Sequence, residues 1–142
     1  HGGSATNIIA DEVTLEAETR SHDDQSINKQ VKHMKETFET TANELGGQAE
    51  VLVEKSYPGF EVNETDKVTQ YAISSALALG LKGDTCIAGG GSDGNIMTQY
   101  GIPSVILGVG YENIHTTSER IAIKDMYMLT RQIIKIIELV AE

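Results

Sequence analysis

A single cysteine, Cys86, stands in 142 residues. An internal disulfide is therefore excluded, and a reducing compartment suits the chain. Cations are also scarce: 11 Lys and Arg face 21 Asp and Glu, for a formal net charge of -10. Phosphate contacts need clustered Lys and Arg, so nucleic acid is excluded as a partner. Anionic lipid is excluded on the same ground. No apolar run approaches the length that crosses a bilayer, so no membrane partner is expected. His1-Gly2-Gly3-Ser4 has no apolar stretch of the kind a signal peptide carries. Repeats and low-complexity linkers are missing too. A soluble, cytoplasmic protein is therefore expected of a chain 39% hydrophobic and 23% charged, with the length of one domain or of parts of two.

The two ends of the chain are patterned differently. Val13, Leu15 and Ala17 alternate with Thr14, Glu16 and Glu18, which predicts a strand with one apolar face. Ser21 to Asp24 is a polar turn rich in helix-capping types. Ile27, Val31, Met34, Phe38, Ala42 and Leu45 recur three or four apart, predicting a helix from Asp24 to Leu45 that ends at Gly46-Gly47. A second strand is expected from Ala49 to Glu54. Strand, helix and strand with polar outer faces make a small antiparallel α+β layer.

After the Tyr57-Pro58-Gly59 turn the style changes. A helix is expected from Asp66 to Leu79, closed by Gly80, then a short apolar strand, Thr85 to Ala88, with Cys86 in its core. A glycine loop leads into a short helix, Asn95 to Tyr100, closed by Gly101. Pro103 to Leu107 is another apolar strand. The last helix, Lys124 to Ala141, is expected to turn Met126, Leu129, Ile133, Ile136, Ile137 and Val140 inward. Unbroken apolar strands between helices suit a sheet buried on both faces, so this part is α/β. The boundary is placed between residues 57 and 64.

Chemistry concentrates in two loops. Gly89-Gly90-Gly91-Ser92-Asp93-Gly94-Asn95 joins a buried strand to a helix, and ligands of open α/β sheets gather beyond the C-terminal ends of strands. Three glycines let the backbone approach a ligand, and the amides opening the next helix suit an anionic group such as a carboxylate. The plainer reading is a tight turn in which Asp93 caps the helix. The loop lacks the Gly-Lys-Ser/Thr of a phosphate loop and is no dinucleotide fingerprint. His115 lies in Glu112-Asn113-Ile114-His115-Thr116-Thr117. It is either a solvated loop residue or a metal ligand. As a zinc ligand it would need two or three partners, and His1, His22 and His33 offer no metal-site spacing. Arg20 can grip a carboxylate with paired hydrogen bonds or form a weak surface ion pair. Asn7 can donate to an oxyanion or simply make a turn.

Taken in order, Ala5 to Asp11, Glu18 to Asp23, Tyr57 to Phe60, Gly89 to Asn95, Gly101-Ile102-Pro103 and Glu112 to Thr117 resemble the C-terminal portion of the peptidase T-like zinc metallopeptidases. Aminoacylases and carboxypeptidase G share that superfamily. The resemblance covers nearly the whole chain. It implies an incomplete two-domain zinc peptidase. Residues 1–57 would be the second half of an α+β, ferredoxin-like lid that mediates homodimerisation. Residues 58–142 would be the closing segment of an α/β catalytic domain.

It implies that His115 is a zinc ligand of a two-ion site, and that Asn7, Arg20, Gly90, Gly91, Ser92 and Asp93 contact a short peptide substrate. The function implied is hydrolysis of short peptides, as an aminopeptidase or tripeptidase, through a metal-activated water. The general base and the other metal ligands have no counterpart here, so the isolated chain is expected to be inactive and to need the missing N-terminal half of the enzyme as partner.

Two other readings remain open: a non-catalytic dimerisation or binding module, and a deacylase or amidohydrolase of the same superfamily. Val13, Leu15, Val51 and Val53 are expected to face absent neighbours. At roughly 25 cal/mol per Å² of apolar surface, an ordered form of the chain should therefore have a partner.

Overall fold

Side-chain caps open two helices of this chain and glycines close three. In the computed structural model, which describes residues 1–142, the helices are α1 (Asp24–Glu44), α2 (Lys67–Ala78), α3 (Asp93–Gln99) and α4 (Ile123–Ala141). The four helices fall within two residues of the bounds expected from periodicity and turn chemistry. Three of them end alike, in Gly46, Gly80 and Gly101, each with a positive φ. At each, the glycine amide and the next amide turn back onto the last carbonyls: Gly101 N donates to Thr98 O at 2.9 Å and Ile102 N to Met97 O at 3.0 Å. A side chain at that φ would crowd its own carbonyl, which is why glycine closes these helices.

The structure divides into two units, His1–Glu54 and Lys55–Glu142. In the first, Asp23 caps α1: its carboxylate accepts from Ser26 N at 2.6 Å, and Ser21 Oγ accepts from Asp23 N at 3.1 Å. Of the apolar stripe, Ile27, Val31, Met34 and Ala42 are half-buried, while Phe38 and Leu45 are exposed. No residue of α1 is buried. Hydrogen bonds from Ser26, side chain first and backbone second, hold the Asp23 carboxyl below its ordinary value of 3.8. A depressed pKa adds stability above the ordinary value and loses it as pH falls through the folded one. Far-ultraviolet circular dichroism should therefore show α1 losing helix as pH drops below about 3.8. In Asp23→Asn, which caps without titrating, that step should flatten.

In the second unit α2 packs against α4. The approach is close because the α2 face is small: Thr69, Ala72, Ser75 and Ala76 are its buried residues. Gln132 of α4 is buried and donates through Nε2 to Ala72 O at 3.2 Å, an acceptor it shares with Ser75 Oγ at 2.8 Å. This carbonyl is thus tied both within its own helix and across to α4. The inward face of α4 differs from the expected one. Gln132 is buried, with Met128, Leu129, Ile136 and Leu139 half-buried, whereas Met126, Ile133, Ile137 and Val140 stay exposed. The helix is apolar on two sides, and α2 covers only one of them.

The expected strands do not form. Residues 14–18, 49–54, 85–88 and 103–107 carry neither helix nor strand, and pairing is limited to two single antiparallel bridges, Gly2 with Val13 and Glu112 with Arg120. A strand exists only through a run of lateral hydrogen bonds to a neighbour; here Thr14 exchanges backbone bonds with His1, each at 2.7 Å, and no ladder grows from that pair or in the other three segments. Many of their side chains are left open: Leu15 is 68% and Ile87 86% exposed, and Cys86, expected in a strand core, is exposed as well, while Ala49, Val51, Val105 and Leu107 are half-buried. The α/β and ferredoxin-like sheets inferred from the sequence are accordingly absent, while the helices that would flank them are present.

Candidate functional site

The glycine loop is fixed at its C-terminal end by a reciprocal cap. Ser92, with extended backbone, is the N-cap of α3, and its Oγ accepts from Gly94 N at 3.2 Å. Asn95, three residues on, returns the bond: its Oδ1 accepts from Ser92 N at 2.9 Å. The cap is thus Ser92, and Asp93 is the first residue of the helix. The amides expected to attract an anion are partly taken, since those of Ser92 and Gly94 already bond to side chains.

The same loop is pressed onto a segment more than thirty residues earlier. Asn95 is 7% exposed, and its Nδ2 donates to Pro58 O at 2.9 Å. The Tyr57 hydroxyl and Cζ stand where a β-carbon on Gly91 would lie, so any side chain there must displace the Tyr57 ring or the loop. At Gly94 an added β-carbon would come within 2.8 Å of Ile106 Cδ1 and 3.5 Å of Phe60 Cζ. The Tyr57-Pro58-Gly59-Phe60 segment is therefore part of the loop's support. Tyr57, Pro58 and Asn95 were not among the candidate site residues. For Asn95 alone the Ser-x-x-Asn spacing was an available signal, because a capping box needs a polar side chain at its third helical position; Tyr57 and Pro58 join through contacts remote in sequence.

His115 sits on a second built loop. Glu112 N donates to Arg120 O at 2.8 Å and Arg120 N to Glu112 O at 3.1 Å, closing the loop's base. The Arg120 guanidinium reinforces this closure with bonds to Glu112 Oε2 at 2.8 and 2.5 Å. Inside, Thr116 Oγ1 donates to Asn113 O at 2.7 Å, and His115 N donates to Glu119 Oε2 at 2.6 Å. Two residues are left-handed, Asn113 with φ 55 and His115 with φ 63. A non-glycine residue held there costs about 1–3 kcal/mol and persists only where surrounding bonds enforce it. Here the Glu119 and Thr116 bonds do so, and His115 is exposed at the loop's tip.

Asn7 and Arg20 lie in the first unit, and Gly90 to Asp93 and His115 in the second. Asn7 occupies an exposed turn. The Arg20 guanidinium binds Glu18, which holds the Glu18 carboxyl below its ordinary value, by hydrogen bond first and by charge second. No group of three or more His, Cys, Asp or Glu side chains comes together to hold a metal. His115 alone offers one imidazole, which can fill one coordination position and no more.

Comparison with known proteins gives a consistent picture. A model of peptidase family M20/M25/M40 matches residues 2–139. The uncharacterized protein YqjE of Bacillus subtilis (strain 168) is 42% identical over 137 residues, covering 96% of this chain and 37% of that protein. The crystal structure of a tripeptidase from Staphylococcus aureus is 62% identical with a TM-score of 0.88, over 99% of this chain and 38% of that one. The aminopeptidase PepT from Bacillus cereus is 44% identical with a TM-score of 0.80, over 100% of this chain and 38% of that one. The chain thus spans a little over a third of the length of the relatives it matches.

Proposed function

The chain belongs to peptidase family M20/M25/M40, and from that premise we propose that it forms part of a metal-dependent enzyme hydrolysing short peptides, as an aminopeptidase or tripeptidase. The observation that carries this reading is the 62% identity and 0.88 TM-score to a tripeptidase over 99% of the chain. Two built loops support it: the glycine loop clamped on Tyr57 and Pro58, and the tip that presents His115.

In this reading residues 58–142 belong to a catalytic domain and residues 1–57 to a lid. Segments 49–54, 85–88 and 103–107 pair as strands with elements outside the 142 residues. The metal, which we take to be zinc, supplies water of lowered pKa and a polarised carbonyl when bound. This chain gives it one ligand, His115, and the other ligands come from outside the chain. Gly90, Gly91, Ser92 and Asp93 wall the peptide, while Asn7 and Arg20 approach its reacting carbonyl and its carboxylate from the lid. Arg20 must then exchange its Glu18 partner for the substrate, an exposed pairing that costs little to break.

The test is a substrate panel on the full-length protein with zinc supplied. Free tripeptides should be turned over at least about 100-fold faster, by kcat/KM, than N-acyl amino acids of matched side chain. The reverse order would make it a deacylase of the same superfamily. No hydrolysis of either class would favour a non-catalytic module.

A further inference from the structure

The geometry points to Asn95 as the positioning residue of the glycine loop: one buried amide fixes Gly91 to Asp93 on Tyr57-Pro58 and so sets where the peptide-facing wall stands. This rests on the reading that the loop contacts substrate. Three observations carry it.

Asn95 is 7% exposed in a unit whose buried residues are otherwise small or on the α2–α4 contact. Both ends of its side chain are used, the oxygen accepting from Ser92 N and the nitrogen donating to Pro58 O, each at 2.9 Å. Between those two bonds lies the tightest backbone approach of the loop, Gly91 against the Tyr57 ring. A capping box needs only the first bond. The second spans 37 residues of sequence and joins two segments that no strand pairing connects. A buried amide bonded at both ends has one orientation available, because turning it over would leave a donor facing a donor. Asn95 thus transmits the position of the Tyr57-Pro58 segment to the Ser92 backbone without itself touching substrate.

The test uses the full-length enzyme and three variants. Asn95→Asp keeps an acceptor for Ser92 N and loses the donor to Pro58 O, placing a carboxylate against that carbonyl. Asn95→Ala removes both bonds. Gln132→Ala removes the buried bond between α4 and α2 and serves as a purely structural control. Asn95→Asp and Asn95→Ala should each raise the tripeptide KM about 10-fold while kcat changes less than about 3-fold, the pattern of lost binding shared by ground and transition states. Gln132→Ala should lower the melting temperature and leave KM unchanged.

An Asn95→Asp enzyme with wild-type KM would overturn the inference and leave the peptidase reading standing. So would a KM that rises equally in Gln132→Ala. A wild-type full-length protein without peptidase activity would instead remove the reading itself, and the inference with it.

Discussion

Replacing His115 by asparagine in the full-length protein is expected to cut tripeptide hydrolysis by more than about 100-fold, since even outer-shell partners of metal ligands are worth about 10–100-fold. Asparagine is the informative substitution because of the backbone. His115 is left-handed, with φ 63, and asparagine tolerates that conformation far better than alanine does. His115→Asn therefore removes the imidazole while the Glu112–Arg120 closure and the Glu119 bond to residue 115 persist. Metal analysis should show the variant binding less zinc than the wild type, with an unchanged melting temperature of the metal-free protein. Equal activity and equal metal content would mean that the loop is built for something else.

The second large effect is expected at Gly91. A valine there would drive its β-carbon into the Tyr57 hydroxyl and Cζ, and overpacking of this kind costs about 1–3 kcal/mol. Gly91→Val should lower the melting temperature and reduce tripeptide kcat/KM at least about 10-fold, because relieving the collision separates the loop from the Tyr57 ring. Tyr57→Ala opens that space. Combined with Gly91→Val it should recover part of both losses, a coupling that two independent defects would not show. Additive losses in the double variant would place the cost of valine elsewhere than in the Tyr57 contact.

How far the sequence could be read depended on whether the signal was local. Helix ends were legible because Gly46, Gly80 and Gly101 fill a position whose φ few other residues accept. The stripe of α1 was legible because its spacing is periodic, although no neighbour buries it. The inward face of α4 was only half legible. Apolar residues lie on both of its sides, and a hydrophobic pattern cannot say which side meets α2; the polar Gln132, bonded to Ala72 O, marks that side instead. The expected strands do not form within these 142 residues for a related reason. Alternation at Val13 to Glu18 and the apolar run at Thr85 to Ala88 report a capacity for pairing, and a ladder needs a neighbour along its whole length, which these 142 residues supply only at the single Gly2–Val13 bridge.

The candidate site divides along the same line. Gly91 and Ser92 stand out in the sequence as part of a glycine loop. Their fixation by Asn95 and Tyr57 depends on a contact across 37 residues and could not be seen without the fold. The left-handed backbone at His115 was equally hidden, although Asn113 and His115 are both types that accept it.

We propose that this chain brings one metal ligand and a substrate wall to a site completed by residues outside it. The most direct measurement is zinc-dependent tripeptide hydrolysis by the 142-residue chain alone, beside the full-length protein at equal concentration. Turnover by the full-length protein and none by the 142-residue chain is the predicted result. Zinc-dependent turnover by the 142 residues on their own would contradict it, since they would then hold a complete site that His115 alone cannot provide.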